Sequence, residues 1–449
     1  ETTDLTIVKH VALDWWNGLP TENKTYTAGN GTVTWDAYTH ELKFENATIN
    51  YEDVSSNGGI QLCDNVTVML IGNNQFINNE DQKSTTTGVF FSMNRGKLNF
   101  QGTGSLTMKY GEKAFFTAPG SELIFNAGTI SADIRRNGIL TNGNVTLNGG
   151  SLSFTLYGND NTRGIYQHGN YEFTMNGGNL KIENTEKPVK SSPGGIVPED
   201  KAPSVKIHGG IINMNVFGEG IKSAKEISID GSAQLVIKVK GANNDAILSA
   251  AGVKIKDSAN VFASSDNAAG IQALKELSGN VEITAEGDSF GVGWKDKGQN
   301  CTIYGNPVII SRGSEWGGFA FSNFSTTEQK KSLENYKLTV STDINAVNGE
   351  SWNKEDNLQK YKYIKLEFCN HTNAKDDNDC TTSVICPDCQ KTTKEALSEH
   401  KFDKVIKDDD DELWYECSNP GCNKTKELKK AGTLVTVENY SGEYDGKIH

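Results

Sequence analysis

The chain has 449 residues, enough for two or three domains, and a formal net charge of −13 at pH 7. An acidic surface of this kind argues against nucleic acid and against anionic lipid as partners. No apolar run approaches the roughly 20 residues that a bilayer-spanning helix needs, so we expect no membrane insertion by this segment.

The first residue is Glu1 rather than Met. We therefore expect that a secretory signal peptide has been removed or left out of the sequence, which predicts a secreted or cell-surface protein. Glycine is frequent, with 46 residues, whereas proline is scarce, with 9. Turns are therefore expected to be built on glycine, asparagine and aspartate.

Residues 1–50 are expected to form an N-terminal cap. The sequence predicts a hairpin there, with strands at 33–35 and 42–49 joined by a turn at 36–40. The repeats that follow predict a solenoid, whose open end would expose core and unpaired backbone and so needs a cover. Three tryptophans are expected in the core of this cap rather than on a sugar-binding platform: Trp15, Trp16 and Trp35.

Residues 51–325 repeat with a period of about 25 residues. Each repeat opens with a small residue and an apolar one, as at Gly138-Ile139, and continues with two alternating strands separated by a glycine turn. A unit this short, without room for a helix, must stack on its neighbours to bury its apolar face. The sequence therefore predicts an all-β fold, a right-handed parallel β-helix of roughly 10–11 coils.

Glycine pairs mark one corner of the coils, at 149–150, 177–178 and 209–210. Such corners often need a positive φ, which glycine adopts without steric cost. Asn148 and Asn176 precede two of the pairs. They are interpreted as stacked side chains that satisfy turn groups, and the alternative is contact with a ligand.

Three segments follow the coils. Residues 326–368 contain two strand-like stretches and are expected to close the solenoid. Residues 369–430 hold six of the eight cysteines together with two histidines and are expected to form a small zinc-ribbon-like module. Residues 431–449 start a new strand pattern and are expected to begin a further domain of a larger parent chain.

The Cys/His module predicts two tetrahedral zinc sites. Arrangements such as Cys-x-His and Cys-Pro-Asp-Cys place two soft ligands on one tight turn, which suits zinc. No open coordination position is evident, so the zinc is expected to be structural. The alternative is three disulfides, but a two-residue spacing is poor for disulfide pairing and leaves the histidines unexplained. We group the ligands as Cys369, His371, Cys386 and Cys389 in one site and Cys380, His400, Cys417 and Cys422 in the other.

Several segments carry a resemblance to a known family: the entry segment WDAYTHELKFENATI at 35–49, the repeated coils, and the junction YKYIKLEFCNH at 361–371. Together they resemble the β-helical carbohydrate-binding-domain family of cell-surface proteins from Gram-positive anaerobes, including clostridia. The resemblance implies a fold similar to that of pectate lyases. It also implies binding of acidic plant polysaccharide with calcium and little or no catalysis.

The resemblance implies a calcium site at the acidic corners of the later coils. The family often has paired aspartates before its Ala-Ile step, and the run 244–247 matches this with one aspartate replaced by asparagine. Matching corners of neighbouring coils lie about 5 Å apart, so their carboxylates could share a calcium ion. The alternative is a set of ordinary polar turns. The candidate ligands are Glu219, Asp245, Asp266 and Asp288.

Candidate sugar contacts are aromatic side chains on the late, irregular coils: Trp294, Tyr304, Trp316 and Phe319. Sugar rings stack on aromatic faces, and Lys295 or Arg312 could bind the carboxylate of a uronate. The alternative is that these aromatic side chains fill the tapering end of the core.

These features predict a non-catalytic carbohydrate-binding or adhesion module of a large bacterial surface protein, with a polysaccharide or glycoprotein glycan as its partner. One alternative is a rigid spacer or an adhesin for host protein or mucin. A polysaccharide lyase or hydrolase is less favoured. A lyase needs a strong base with calcium and a hydrolase needs two paired carboxylates, and the five arginines show no such pattern with clustered aspartates.

Overall fold

The computed structural model describes residues 3–82, 86–158, 161–186, 194–198, 204–294, 301–321, 333–353, 356–407 and 413–427. They fall into two compact units, Glu1–Leu333 with Lys337–Phe368, and Glu334–Tyr336 with Cys369–His449. The described helical segments are two single turns of 3₁₀-helix, Glu80–Gln82 and Leu358–Lys360. No helix in these ranges is long and apolar enough to cross a membrane.

The first unit is a parallel β-solenoid of about 11 turns, which confirms the predicted fold class. Each coil contributes one strand to each of three stacked parallel sheets, here called faces A, B and C. Ser105–Thr117 and Thr129–Thr141 run from face C to face A, whereas Ile247–Ile255 and Ile271–Leu277 run from face A to face B.

Face A consists, in stacking order, of Leu13–Asp14, Ile60–Leu62, Val89–Met93, the ends of Ser105–Thr117 and Thr129–Thr141, Arg163–Gln167, Gly194–Pro198, Ile221–Ser223, the starts of Ile247–Ile255 and Ile271–Leu277, Val292–Gly293 and Phe319–Ala320. Face B consists of Glu41–Glu45, Val66–Ile71, Lys97–Gly102, Glu122–Phe125, Asn144–Leu147, Phe173–Met175, Val205–Ile207, Ile227–Ile229, the ends of Ile247–Ile255 and Ile271–Leu277, and Thr302–Ile303.

Face C consists of Ile7–Val8, Thr48–Tyr51, Asn73–Asn78, the starts of Ser105–Thr117 and Thr129–Thr141, Ser151–Leu156, Asn179–Asn184, Ile211–Val216, Gln234–Val239, Asn260–Ser265, Glu282–Gly287 and Val308–Gly313. Alternate residues of a strand point to opposite sides of the sheet, and most inward positions of the three faces are apolar.

The amino-terminal segment is built differently from the predicted hairpin. Gly31–Asp36 and Glu41–Glu45 do form an antiparallel pair, to which Lys24–Ala28 adds a third strand. The predicted strand 42–49 is wrong, however, because the chain turns at Asn46, where φ is 51°, and Thr48–Tyr51 belongs to face C. Thr3–Asp4, Ile7–Val8 and Leu13–Asp14 pair in parallel with later strands, so the stacking already starts within this segment.

The glycine corner lies between faces B and C. The second glycine of each pair has positive φ, 74° at Gly150, 78° at Gly178 and 84° at Gly210. The expected asparagine stack is also present, because the amide of Asn148 donates to Asn126 and that of Asn176 donates to Asn148, each at 2.7 Å. This ladder favours the structural interpretation of Asn148 and Asn176.

The carboxyl end of the solenoid is covered by antiparallel strands. Tyr363–Phe368 pairs with Val308–Gly313 of the last coil, and Tyr336–Ser341 pairs with Glu350–Ser351. Residues 322–325 of the predicted β-helix, and residues 326–332 and 354–355 of the predicted closing segment, lie outside the described residues.

The second unit is small and built from short strands. Val384–Ile385 and Thr392–Lys394 form a hairpin. Phe402–Lys407, Leu413–Cys417 and Thr425–Glu427 form a three-stranded antiparallel sheet. The predicted start of a further domain at 431–449 lies outside the described residues.

Candidate functional site

A row of apolar side chains runs along the outer side of face A. Pairing between neighbouring strands places Phe116 beside Leu140, and Leu140 beside Tyr166. All three side chains are partly exposed, whereas their neighbours Phe115, Ile139 and Ile165 point inward and are buried. Partly exposed apolar side chains in register on three successive coils, two of them aromatic rings, form a surface of the kind on which sugar rings stack.

A groove of about 330 Å³ occupies the amino-terminal end of this row. Phe116 and Leu140 line it together with a wall from the amino-terminal segment and one charged side chain, Lys113. Its full lining is Trp16, Ser56, Asn57, Gln61, Val89, Lys113, Phe116 and Leu140. The groove thus combines aromatic rings with amide, hydroxyl and ammonium groups, which is the usual composition of a small-molecule or sugar site.

Hydrogen bonds hold the wall of this groove in place. The amide of Asn94 donates to the carbonyl of Trp16 at 3.0 Å, and that of Gln61 donates to the carbonyl of Gly58 at 3.2 Å. The hydroxyl of Ser92 donates to the carbonyl of Asn57. The prediction that Trp16 is a core residue is therefore wrong, because its side chain is partly exposed and lines the groove. Trp15 and Trp35 are buried as predicted, with ring centroids 4.9 Å apart.

The four predicted sugar contacts do not form one platform. Trp294 lies on the border of face A and donates its indole N–H to the carbonyl of Leu274 at 2.8 Å. Tyr304 follows the last strand of face B and is 58% exposed. Trp316 is 43% exposed and stacks on Phe290, with ring centroids 6.0 Å apart.

Phe319 requires a correction. Its side chain is only 1% exposed and packs edge-to-face against Phe321. A ring inside the core cannot stack on a sugar, so Phe319 fills the end of the solenoid. Lys295, one of the two proposed uronate contacts, lies outside the described residues. The other, Arg312, pairs with Glu286 at 2.8 Å and lies over the ring of Tyr363.

The four candidate calcium ligands are also dispersed. Asp266 and Asp288 line an open groove of about 510 Å³ together with Glu286 and Arg312. Glu219 and Asp245 belong to the two preceding coils of the same corner, between faces C and A, and lie next to face A rather than next to face C. Among the residues that the structure describes, the only groups of three or more metal-binding side chains close enough to hold one ion contain cysteine and histidine. Calcium binding at these corners stays a prediction.

Glu219 and Asp245 have a visible structural role. The carboxylate of Glu219 accepts from the backbone N–H of Asp245 at 2.8 Å, and the carboxylate of Asp245 accepts from that of Ala269 at 2.8 Å. Each acid thereby satisfies a backbone donor of the next coil at a corner where the sheet ladder is interrupted.

Replacing Glu219 tests whether the stability of the fold depends on its acceptor oxygen or on its negative charge. Burial raises the pKa of the Glu219 carboxyl, while the Lys222 ammonium opposes the shift. A raised folded-state pKa means that this group favours folding below its unfolded-state pKa and that the contribution is lost as the pH rises through the folded-state pKa. We expect Glu219→Gln to keep the acceptor and leave the unfolding free energy at pH 7 unchanged or slightly higher. Glu219→Ala should lower it by about 1–3 kcal/mol because the Asp245 N–H loses its acceptor.

Urea unfolding of both variants with and without calcium measures this difference. If Glu219→Gln and Glu219→Ala lose the same amount of unfolding free energy, and only when calcium is present, the role of Glu219 is not purely structural. That result would favour a cation at this corner.

The structure brings the eight cysteine and histidine ligands together in the two groups that the sequence analysis proposed. In each group all ligand atoms lie within 4.8 Å of one another. The sulfur atoms of Cys369 and Cys386 are 3.6 Å apart and those of Cys380 and Cys417 are 3.7 Å apart. A tetrahedron with Zn–S bonds of about 2.3 Å has sulfur atoms roughly 3.7–3.8 Å apart, so both groups fit a zinc ion.

Neighbouring side chains orient the ligands of the second group. The Nδ1 atom of His400 lies 3.1 Å from the sulfur of Cys380, and its Nε2 atom lies 3.4 Å from the carboxylate of Asp379. The amide of Asn419 donates to the sulfur of Cys380 at 3.2 Å. A carboxylate on the far nitrogen of a ligating histidine and an N–H donor to a thiolate are typical of structural metal centres.

Comparison with protein families finds a match for one segment of the solenoid. Residues 25–238 match the family model described as "carbohydrate-binding domain-containing protein". This match confirms the family resemblance for a segment that is a little under half of the chain. No curated protein and no solved structure gives a significant match to the chain.

The carbohydrate-binding-domain match favours the face A groove over the aromatic residues of the late coils as the candidate sugar site. It includes every residue that lines the face A groove except Trp16. It ends before all four aromatic residues that the sequence analysis proposed as sugar contacts. The groove was missed because its residues come from several coils and share no local sequence motif.

Proposed function

We propose that the first unit is a non-catalytic carbohydrate-binding module whose binding surface is the face A groove and the row that continues from Phe116 through Leu140 to Tyr166. The family match to residues 25–238 carries the proposal. The exposed apolar row within that segment supports it, since the rings can cover the C–H face of a sugar while the groove wall offers hydrogen bonds.

The repeat of the solenoid suits a chain-like ligand. Phe116, Leu140 and Tyr166 lie on successive coils, and neighbouring strands are about 4.8 Å apart. A polysaccharide that runs along the row would contact several coils at once, and weak contacts to each sugar would add up. We therefore propose a polysaccharide or a glycoprotein glycan rather than a single sugar as the ligand.

The wider setting of the module is a proposal from the sequence. We propose an extracellular location on a bacterial surface protein, with further domains in the parent chain and a role in adhesion or attachment to glycans. We propose the second unit as a structural module that holds two zinc ions through the eight cysteine and histidine side chains. The domain boundaries at 50, 325, 368 and 430 and calcium assistance at the acidic corners are parts of the same proposal.

Affinity electrophoresis in gels that contain different polysaccharides tests the binding function. The chain is expected to be retarded by at least one glycan, without release of reducing or unsaturated ends. Retardation in no gel, across plant polysaccharides and mucin, would overturn the proposal in favour of a spacer. Release of new chain ends would identify an enzyme.

A substitution of Phe116, which lines the groove, tests the location of the site. Phe116→Ala removes one stacking ring and should weaken glycan binding about tenfold, which corresponds to ~1.4 kcal/mol. Tyr304→Ala is the matched control because Tyr304 is 58% exposed on the last coils and lies outside the family match. Isothermal titration calorimetry with the glycan found by electrophoresis measures the affinity of both variants. A loss for Tyr304→Ala and none for Phe116→Ala would place the site on the late coils.

A further inference from the structure

A group of cationic side chains lies at the corner where coils enter face A. Glu112 is buried there, with its side chain 5% exposed, and the ammonium of Lys113 lies 3.0 Å from its carboxylate. On the next coil, guanidinium groups of Arg136 and Arg135 lie 2.8 Å and 3.8 Å from the same carboxylate. Since Lys113 also lines the groove, the corner and the groove are continuous.

Arg163 extends the group by one further coil. Its guanidinium lies 5.4 Å from the ring centroid of Tyr166, which continues the exposed apolar row. Burial lowers the pKa of Arg163, and the positive charge of Arg136 lowers it further. Tyr166 and Glu219 oppose this lowering of the pKa. Arg136 and Arg163 lie on neighbouring coils, since Asn137 pairs with Arg163.

Among the side chains that the structure describes at this corner, cations outnumber carboxylates. The four cations Lys113, Arg135, Arg136 and Arg163 face the carboxylates of Glu112 and Glu219. Glu219 is already engaged by Lys222 at 3.3 Å and by the backbone N–H of Asp245. In addition, the buried Nε atoms of Arg135 and Arg163 have no hydrogen-bond partner among the described residues.

Partly buried guanidinium groups that repel one another and keep a free donor cost folding energy unless an anion joins them. Arginine is also the side chain whose planar fork best matches a carboxylate or a sulfate. An excess of positive charge is notable on a chain with a net charge of −13. Both facts point to an anionic ligand group at this corner.

We propose that Arg135, Arg136 and Arg163 form an anion subsite that binds a carboxylate or sulfate ester of the glycan directly, without a metal ion. The sugar bearing that group lies on the row between Leu140 and Tyr166. The inference rests on the proposed carbohydrate-binding function and adds the chemical class of one substituent. It differs from calcium-mediated binding because the guanidinium groups take the place of the cation.

The test uses the full chain in buffer with EDTA and pairs of polymers that differ in charge. Polygalacturonate is compared with its methyl ester, and dextran sulfate with uncharged dextran. The variants are Arg136→Gln and Arg163→Gln. Arg95→Gln is the matched control, because Arg95 forms an exposed pair with Asp64 at the corner between faces A and B. Thermal unfolding shows whether each variant is folded. If Arg163→Gln does not fold, the conservative variant Arg136→Lys is measured in its place.

We expect the chain to bind one charged polymer at least tenfold more tightly than its uncharged partner in EDTA, with affinity falling as salt is raised. Arg136→Gln and Arg163→Gln should each weaken that binding about tenfold, which corresponds to ~1.4 kcal/mol, and leave binding of the uncharged polymer unchanged. Arg136→Lys should keep the salt dependence but bind more weakly. A preference within the first polymer pair identifies a carboxylate, and one within the second identifies a sulfate ester.

Two results would overturn the subsite and leave the proposed function standing: equal affinity for charged and uncharged polymers, or charged-polymer binding that EDTA abolishes and calcium restores. Unaltered binding by both arginine variants would also overturn it. Failure to bind any of the four polymers or any other glycan is a different outcome, since it removes the carbohydrate-binding function itself.

Discussion

Removal of metal from the second unit is expected to unfold its Cys/His module while the solenoid stays folded. In the described part of residues 369–427, the buried apolar side chains are five cysteines and Val384. Without an ion that joins the thiolates, this set is too small to form a hydrophobic core. Structural zinc in small domains contributes about 10–16 kcal/mol of apparent binding free energy, which is folding free energy in such modules.

Metal analysis and circular dichroism check this expectation. We expect two zinc ions per chain for the wild type and one for Cys386→Ser, with loss of ordered signal from the second unit on addition of a strong chelator. Cys301→Ser is the control because Cys301 lies outside both ligand groups, so it should retain both ions. A chain without metal whose cysteines are paired in three disulfides would contradict the account.

Phe91→Ala is expected to lower the free energy of unfolding of the solenoid by about 3–5 kcal/mol. The side chain is fully buried on face A, and its ring centroid lies 5.4–5.8 Å from those of Phe76, Phe100 and Phe115. Truncation would leave a cavity between three coils that the stacked backbone cannot collapse to fill.

Urea unfolding followed by fluorescence measures this change. Tyr38→Ala is the control, since Tyr38 is 96% exposed in the turn of the amino-terminal hairpin and should change stability by less than about 0.5 kcal/mol. A loss below about 1 kcal/mol for Phe91→Ala would mean that the aromatic stack does not determine the stability of these coils.

The fold could be predicted because its information is local and repeated. Each coil encodes the same inward positions and the same glycine corner, as Gly150, Gly178 and Gly210 show. The break at Asn46 was missed although the sequence carries a signal for it. The buried positions shift by one residue between Phe44 and Ala47, so the alternation changes phase at the turn.

The two ligand groups of the Cys/His module could also be anticipated, since short spacings place two ligands on one turn. The proposed sugar site could not be anticipated, because Trp16, Asn57, Lys113 and Leu140 meet only after the coils stack. At the irregular end of the solenoid the inward and outward positions lose their period. Phe319, Ala320 and Phe321 are all buried there, so the sequence could not tell a core ring from a surface ring.

Hydrogen–deuterium exchange of the full chain with and without a glycan that retards it is the most direct test of the central claim. Binding in the face A groove predicts protection of residues 56–61, 111–117 and 137–141, around the side chains that line it. The same experiment on Phe116→Ala should show that protection only at higher glycan concentration. Protection confined to residues 301–321, or none in the first half of the solenoid, would contradict the assignment of the site.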